Sequence, residues 1–128
     1  MNNWFADTNI IIDLIADREP FSSYAKKIFL AAEQQKIKVF TSSHSYATIY
    51  YVLKKYTNDE TLRKILLTLL DYVSIIRVDE HIIKISLQSS YKDFEDAIQI
   101  FCAGSVVHII GILTRNVKDF KPYTGIYI

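Results

Sequence analysis

The chain has 128 residues, half of them hydrophobic, with only 3 Gly and 2 Pro, so it holds the material for one packed domain and little for disordered stretches. Its 15 basic and 14 acidic side chains leave a net charge of +1, which withholds the bulk positive field of a tight nucleic-acid binder, although a local basic patch stays open. A single cysteine, Cys102, excludes an internal disulfide framework and fits a reducing cytoplasm; no window reaches the roughly 18 uninterrupted apolar residues of a membrane span, and no signal peptide is expected, because Asp7 and Asp13 interrupt the early apolar run.

Trp4 to Ala6 reads as a short buried strand that stops at Asp7. Ile10 to Ile15 follows as an apolar helix with Asp13 on its polar side, broken at Arg18-Glu19-Pro20. Tyr24, Ile28 and Ala31 recur at helical spacing, with Ala25, Phe29 and Ala32 beside them, and predict an amphipathic helix over about residues 21–35. Ile37 to Thr41 alternates as a second strand, and Ser42-Ser43 offers N-cap chemistry to the next helix. That helix carries Tyr46, Ile49, Tyr50 and Leu53 on one stripe, widened by Tyr51, Val52 and Tyr56. So broad an apolar surface on a small domain points to self-association as a homodimer.

Asn58 or Asp59 caps a further helix, with Leu62, Ile65, Leu66, Leu69 and Val73 as its core stripe. Val73 to Val78 is the third strand, Asp79 caps a helix running to about Ser89, and Asp93 opens another to about Gly104. Ile109 to Leu113 is the fourth strand, Asn116 to Asp119 a short turn or helix, and Gly125 to Ile128 a last strand. Strands separated by helices predict a three-layer α/β/α fold around a central parallel sheet of four to five strands, spanning 1–128 as one domain.

Three polar clusters fall where open α/β sheets place their sites, at the carboxyl ends of strands. Asp7 ends the first strand, Asp93 and Asp96 open a helix, and Asn116 and Asp119 follow the fourth strand. Each has an ordinary structural use, in capping or in complementing a helix dipole. Together they place carboxylates at one edge, and like charges held close favour a cation. Mg²⁺ or Mn²⁺, hard ions that keep several waters, suit such oxygen donors.

The Asp7-Thr8-Asn9 opening, the Asp93-Phe94-Glu95-Asp96-Ala97-Ile98-Gln99 block and the Thr114-Arg115-Asn116-Val117-Lys118-Asp119-Phe120 block together resemble a PIN domain, in the order and over the length of the whole chain. The resemblance implies a metal-dependent ribonuclease, often the toxin of a type II toxin–antitoxin pair, with RNA as substrate and an antitoxin protein as partner. It implies that Asp7, Asp96 and Asp119 hold Mg²⁺ or Mn²⁺, with Asp93 as a further acid of the block and Asn116 standing where many members carry another acid. Thr8 and Asn9 match the polar residues that brace the first acid, while Arg115 and Lys118 flank the site and are candidates for the RNA backbone. One departure stands out: Thr48 occupies the position at which many active members carry a glutamate. A catalytically weak or inactive PIN-like module that binds RNA or protein is the alternative reading. A phosphoryl-transfer domain of flavodoxin-like topology fits poorly, as the chain lacks a glycine-rich phosphate loop. His44, His81 and His108 show no metal-ligand spacing, and Cys102 reads as a buried core thiol.

Overall fold

The computed structural model describes residues 2–116, 120 and 126–127. In chain order the elements are β1 (Asn2–Ala6), α1 (Thr8–Ala16), α2 (Ser22–Glu33), β2 (Ile37–Ser42), α3 (Ser43–Leu53), α4 (Asp59–Leu69), β3 (Val73–Ile76), α5 (Glu80–Gln88), α6 (Phe94–Ser105), β4 (Ile109–Leu113) and β5 (Ile126–Tyr127). The five strands form one sheet in the order β3-β2-β1-β4-β5, every pair parallel. The predicted α/β/α architecture is therefore present.

Strand alternation divides the core in two. Ala6, Val39 and Val73 face α1 to α4, packing with Ile11, Phe29, Ile49 and Leu62. Their neighbours Phe5, Ile76 and Ile112 face the opposite side, with Ile82 of α5 and Ile98 and Cys102 of α6. Burying both faces explains why the central strands read as apolar runs. Short-range caps set the helix starts: Ser42 Oγ accepts from the Ser45 amide, Asn58 Oδ1 from Thr61, Asp79 Oδ1 from Ile82 and Asp93 Oδ1 from Asp96.

Four details depart from the sequence reading. Asp13 lies at the centre of the α1 packing, with 0% of its surface exposed, because two arginines reach it there. In α2 the buried face is Ser22, Ala25, Phe29 and Ala32, and Tyr24 is exposed; two adjoining apolar stripes competed, and the narrower one meets α1 and the sheet. Ile65 sits at the edge of the α4 stripe and is partly exposed. β3 ends at Ile76 rather than Val78, because the Val78 amide turns away to donate to Ser43 Oγ at the head of α3.

Strand order reverses beside β1: the chain steps outward through β2 and β3, then returns to add β4 and β5 on the other side. The carboxyl ends of β1 and β4 therefore flank a topological switch point, where such sheets open a crevice.

Candidate active site

Asp7 follows β1 at this switch point, its amide donating to the Leu113 carbonyl at the end of β4 (2.9 Å). Its side chain is buried, and Oδ2 accepts a hydrogen bond from Thr114 Oγ1 at 2.8 Å. Burial pushes the Asp7 carboxyl above the ordinary carboxylate value. The Thr114 hydroxyl opposes that rise first, then the Gln99 side chain, then the Asn9 and Thr8 amides; the amides lie close without forming a true side-chain cap of α1. Desolvation outweighs these donors, leaving a carboxylate held in a fixed pose with no cationic partner among the described residues.

A polar network surrounds it. Gln99 Oε1 accepts from the Thr8 amide (2.9 Å) and the Thr8 hydroxyl (3.1 Å), and Ser45 Oγ lies 3.4 Å away. With its oxygen so engaged, the Gln99 amide nitrogen is the end turned toward Asp7. Thr8 Oγ1 also pairs with Ser45 Oγ (2.8 Å), which pairs in turn with Ser42 Oγ (2.8 Å). The carboxyl ends of β1, β2 and β4, the first turns of α1 and α3 and the second turn of α6 are thereby joined through buried and partly buried hydrogen bonds.

Asp96 is partly buried in the first turn of α6, one turn before Gln99 and on the same helix face. Because Gln99 reaches Thr8, that face lies over the end of β1. Asp93 caps α6 and is exposed. Asn9 is partly buried, and its Oδ1 receives Arg18 Nη2 at 3.4 Å. Asn116 is exposed, and its amide donates to Thr114 Oγ1 at 3.0 Å. The Thr114 hydroxyl thus accepts from the turn and donates to Asp7. Arg115 Nε and Nη2 bond Asp13 Oδ2 and Oδ1 at 2.8 and 3.3 Å, with the guanidinium stacked 4.1 Å from the Phe21 ring centroid. Thr48 is partly buried on α3, beyond Ser45. Lys118 and Asp119 lie outside the described residues. Among the described residues, no three His, Cys, Asp or Glu side chains gather as a metal cluster.

A family model described as PIN domain matches residues 4–118. The chain belongs to the PIN domain family. Among the relatives of this PIN domain is Ribonuclease VapC1 of Aquifex aeolicus (strain VF5), 27% identical over an alignment of 103 positions that covers 77% of this chain and 72% of that protein. Among solved structures, a toxin–antitoxin complex from Klebsiella pneumoniae superposes with a TM-score of 0.69 at 26% identity, covering 98% of this chain and 96% of that one. VapBC2 from Rickettsia felis, bound to a DNA fragment from its promoter, matches in fold with a TM-score of 0.68 at 19% identity, covering 97% and 95%.

Sequence reasoning missed Thr114, Gln99, Ser45 and the burial of Asp13. A signal was present for two of them. Gln99 is a lone amide inside Ala97-Ile98-Gln99-Ile100, and Asp13 a lone acid inside Ile10–Ile15. A polar group in an apolar run is buried only with a partner, so each announced a contact from elsewhere in the chain.

Proposed function

We propose that this PIN domain is a cytoplasmic, metal-dependent ribonuclease that hydrolyses RNA phosphodiester bonds, acting as the toxin of a type II toxin–antitoxin pair. The observation that carries the reading is Asp7: a buried carboxylate at the switch point, oriented by Thr114 and Gln99 and with no cationic partner among the described residues. The ribonuclease name of the Aquifex relative supports the activity, and the Klebsiella complex supports an antitoxin partner.

The donor set fits a hard divalent cation. Asp7 and Asp96 are oxygen donors, and Mg²⁺ is commonly held by one or two carboxylates with the remaining positions left to water and substrate phosphate. Asp119 is the third acid we assign, with Asp93 an additional charge at the rim. Bound Mg²⁺ or Mn²⁺ supplies Lewis acidity to the phosphate and acidifies a water. The chain's own residues do the positioning. The Thr114 hydroxyl holds one Asp7 oxygen and so fixes the orientation of the carboxylate. Gln99 and Ser45 hold Thr8, and Asn9 braces the opposite rim. Asn116 orients a water or phosphate oxygen, while the outer edge of Arg115 and Lys118 meet the RNA backbone.

An apolar groove of about 670 Å³ between α1, α2 and α4, lined by Leu14, Ile15, Phe29, Leu30, Ile65 and Tyr72, suits an amphipathic antitoxin helix. The exposed Tyr51 and Tyr56 at the end of α3 suit a second copy of the chain. No helix among the described residues is long and apolar enough to cross a membrane.

Asp7→Asn and Asp96→Asn should each abolish metal-dependent RNA cleavage; unchanged cleavage in the folded double variant would sink the assignment. Thr48 in place of a glutamate favours a second reading, a PIN-like module that binds RNA or protein without cutting. Calorimetric titration separates the two: no heat at millimolar Mg²⁺ or Mn²⁺ selects the binding module.

A further inference from the structure

Asp13 has no part in the chemistry above, yet it is the most heavily engaged charge among the described residues. It sits on α1 with 0% of its surface exposed. Arg115 approaches side-on, Nε to Oδ2 at 2.8 Å and Nη2 to Oδ1 at 3.3 Å, while Arg18 Nε reaches Oδ1 at 2.9 Å. A carboxylate with no access to water needs such donors, because a buried charge without partners is strongly disfavoured against its hydrated form. Both arginines keep an outer edge in solvent, with side chains 41% (Arg18) and 30% (Arg115) exposed.

What the two arginines hold lies on opposite sides of the crevice. Arg115 is flanked by Thr114, whose hydroxyl bonds Asp7, and by Asn116, whose amide bonds that same hydroxyl. Arg18 Nη2 donates to Asn9 Oδ1, two residues beyond Asp7. The Phe21 ring lies beneath the Arg115 guanidinium, 4.1 Å from its carbon to the ring centroid, and closes the clamp from the α2 side. Residues 114–116 leave the sheet without regular structure of their own, so their conformation is set by these side-chain bonds.

We propose that Asp13 is a positioning residue: through Arg115 it fixes the 114–116 turn, and so keeps the Thr114 hydroxyl on Asp7. The proposal takes the importance of Asp7 from the function proposed above; the clamp itself stands on geometry alone. Asp13 touches neither RNA nor metal. It converts a loop into a rigid wall of the site, as supporting contacts do where a reactive group must be held within fractions of an ångström.

The test is amide hydrogen exchange on the metal-free chain, comparing wild type, Asp13→Asn, Arg115→Met and the double variant. Asn116 is the reporter, and Val39 and Ile112 on central strands report global opening. Both single variants should speed Asn116 exchange about tenfold, the order expected when a charge-assisted hydrogen bond is lost, with Val39 and Ile112 unchanged. The double variant should add little, since the pair acts as one unit. Mn²⁺ affinity by calorimetry should weaken in the same variants. The proposal is overturned if Asn116 keeps its wild-type rate in a folded single variant, or rises only in step with Val39 and Ile112. Should Asp13→Asn fail to fold, Arg115→Met gives the same reading, because Arg18 still covers Asp13. Loss of Asn116 protection without any RNA cleavage by wild type would keep the clamp and discard the ribonuclease.

Discussion

Replacing Gln99 with methionine removes the acceptor at the hub of the site while nearly conserving side-chain volume. Oε1 serves the Thr8 amide and the Thr8 hydroxyl, with Ser45 Oγ at its margin. The hydroxyls can compensate, because Thr8 Oγ1 and Ser45 Oγ already pair at 2.8 Å. The Thr8 amide cannot, since it is a first-turn donor of α1 with no intrahelical acceptor. Leaving one such donor unmet costs about 1–3 kcal/mol, and the loss of the Gln99 contact to Asp7 adds to it. A total near 2–3 kcal/mol lowers Tm by roughly 6–15 °C for a domain of this size. Gln99→Glu is the control: it keeps the acceptor but sets a second acid beside a buried one. It should lose stability as pH rises above the carboxylate range, whereas Gln99→Met should lose it at every pH. Thermal unfolding by circular dichroism, in EDTA at several pH values, reads both. A methionine variant within about 0.5 kcal/mol of wild type, the ordinary spread for surface substitutions, would refute the assigned hub role.

Asp7 gives a pH prediction with a definite sign. Burial holds its folded pKa above the ordinary carboxylate value of 3.8, so the folded chain holds the proton more tightly. Its stabilising contribution is complete below the unfolded pKa and is lost as pH rises through the folded one. At pH 7 in EDTA, Asp7→Asn should therefore melt higher than wild type, and the gap should close on acidification toward pH 3.8; a lower-melting asparagine variant at neutral pH contradicts this. Manganese should raise the Tm of wild type and leave Asp7→Asn unmoved, a difference that scanning fluorimetry would report. Cys102 is buried, and desolvation followed by the nearby Asp79 charge pushes its thiol up to about 11. It should resist a thiol reagent in native buffer and react at once in guanidinium; fast native labelling would show that α6 is not packed as described.

Much of the fold was legible because its causes are local. The caps at Asn58, Asp79 and Asp93 each act over three residues, and the alternation of apolar runs with helical stripes set the layered sheet. Asp7 was legible because an acid ending an apolar strand is out of place unless it caps or works. The supports of Asp7 were not, because their partners are remote: Gln99 meets Thr8 across 91 positions and Arg115 meets Asp13 across 102. Periodicity placed Asp13 on a polar face, and only tertiary pairing with two arginines explains its burial. Which stripe of α2 faced inward was likewise decided by the neighbours of the helix.

Whether the Asp7 crevice cuts RNA with a divalent ion is decided by one add-back experiment. Wild type and Asp7→Asn, stripped with EDTA and matched for folding by circular dichroism, are incubated with a mixed-sequence RNA before and after Mn²⁺ is restored. Cleavage by wild type only after Mn²⁺, with none by Asp7→Asn, is the predicted result. Cleavage that persists in EDTA, or that Asp7→Asn retains, would contradict it.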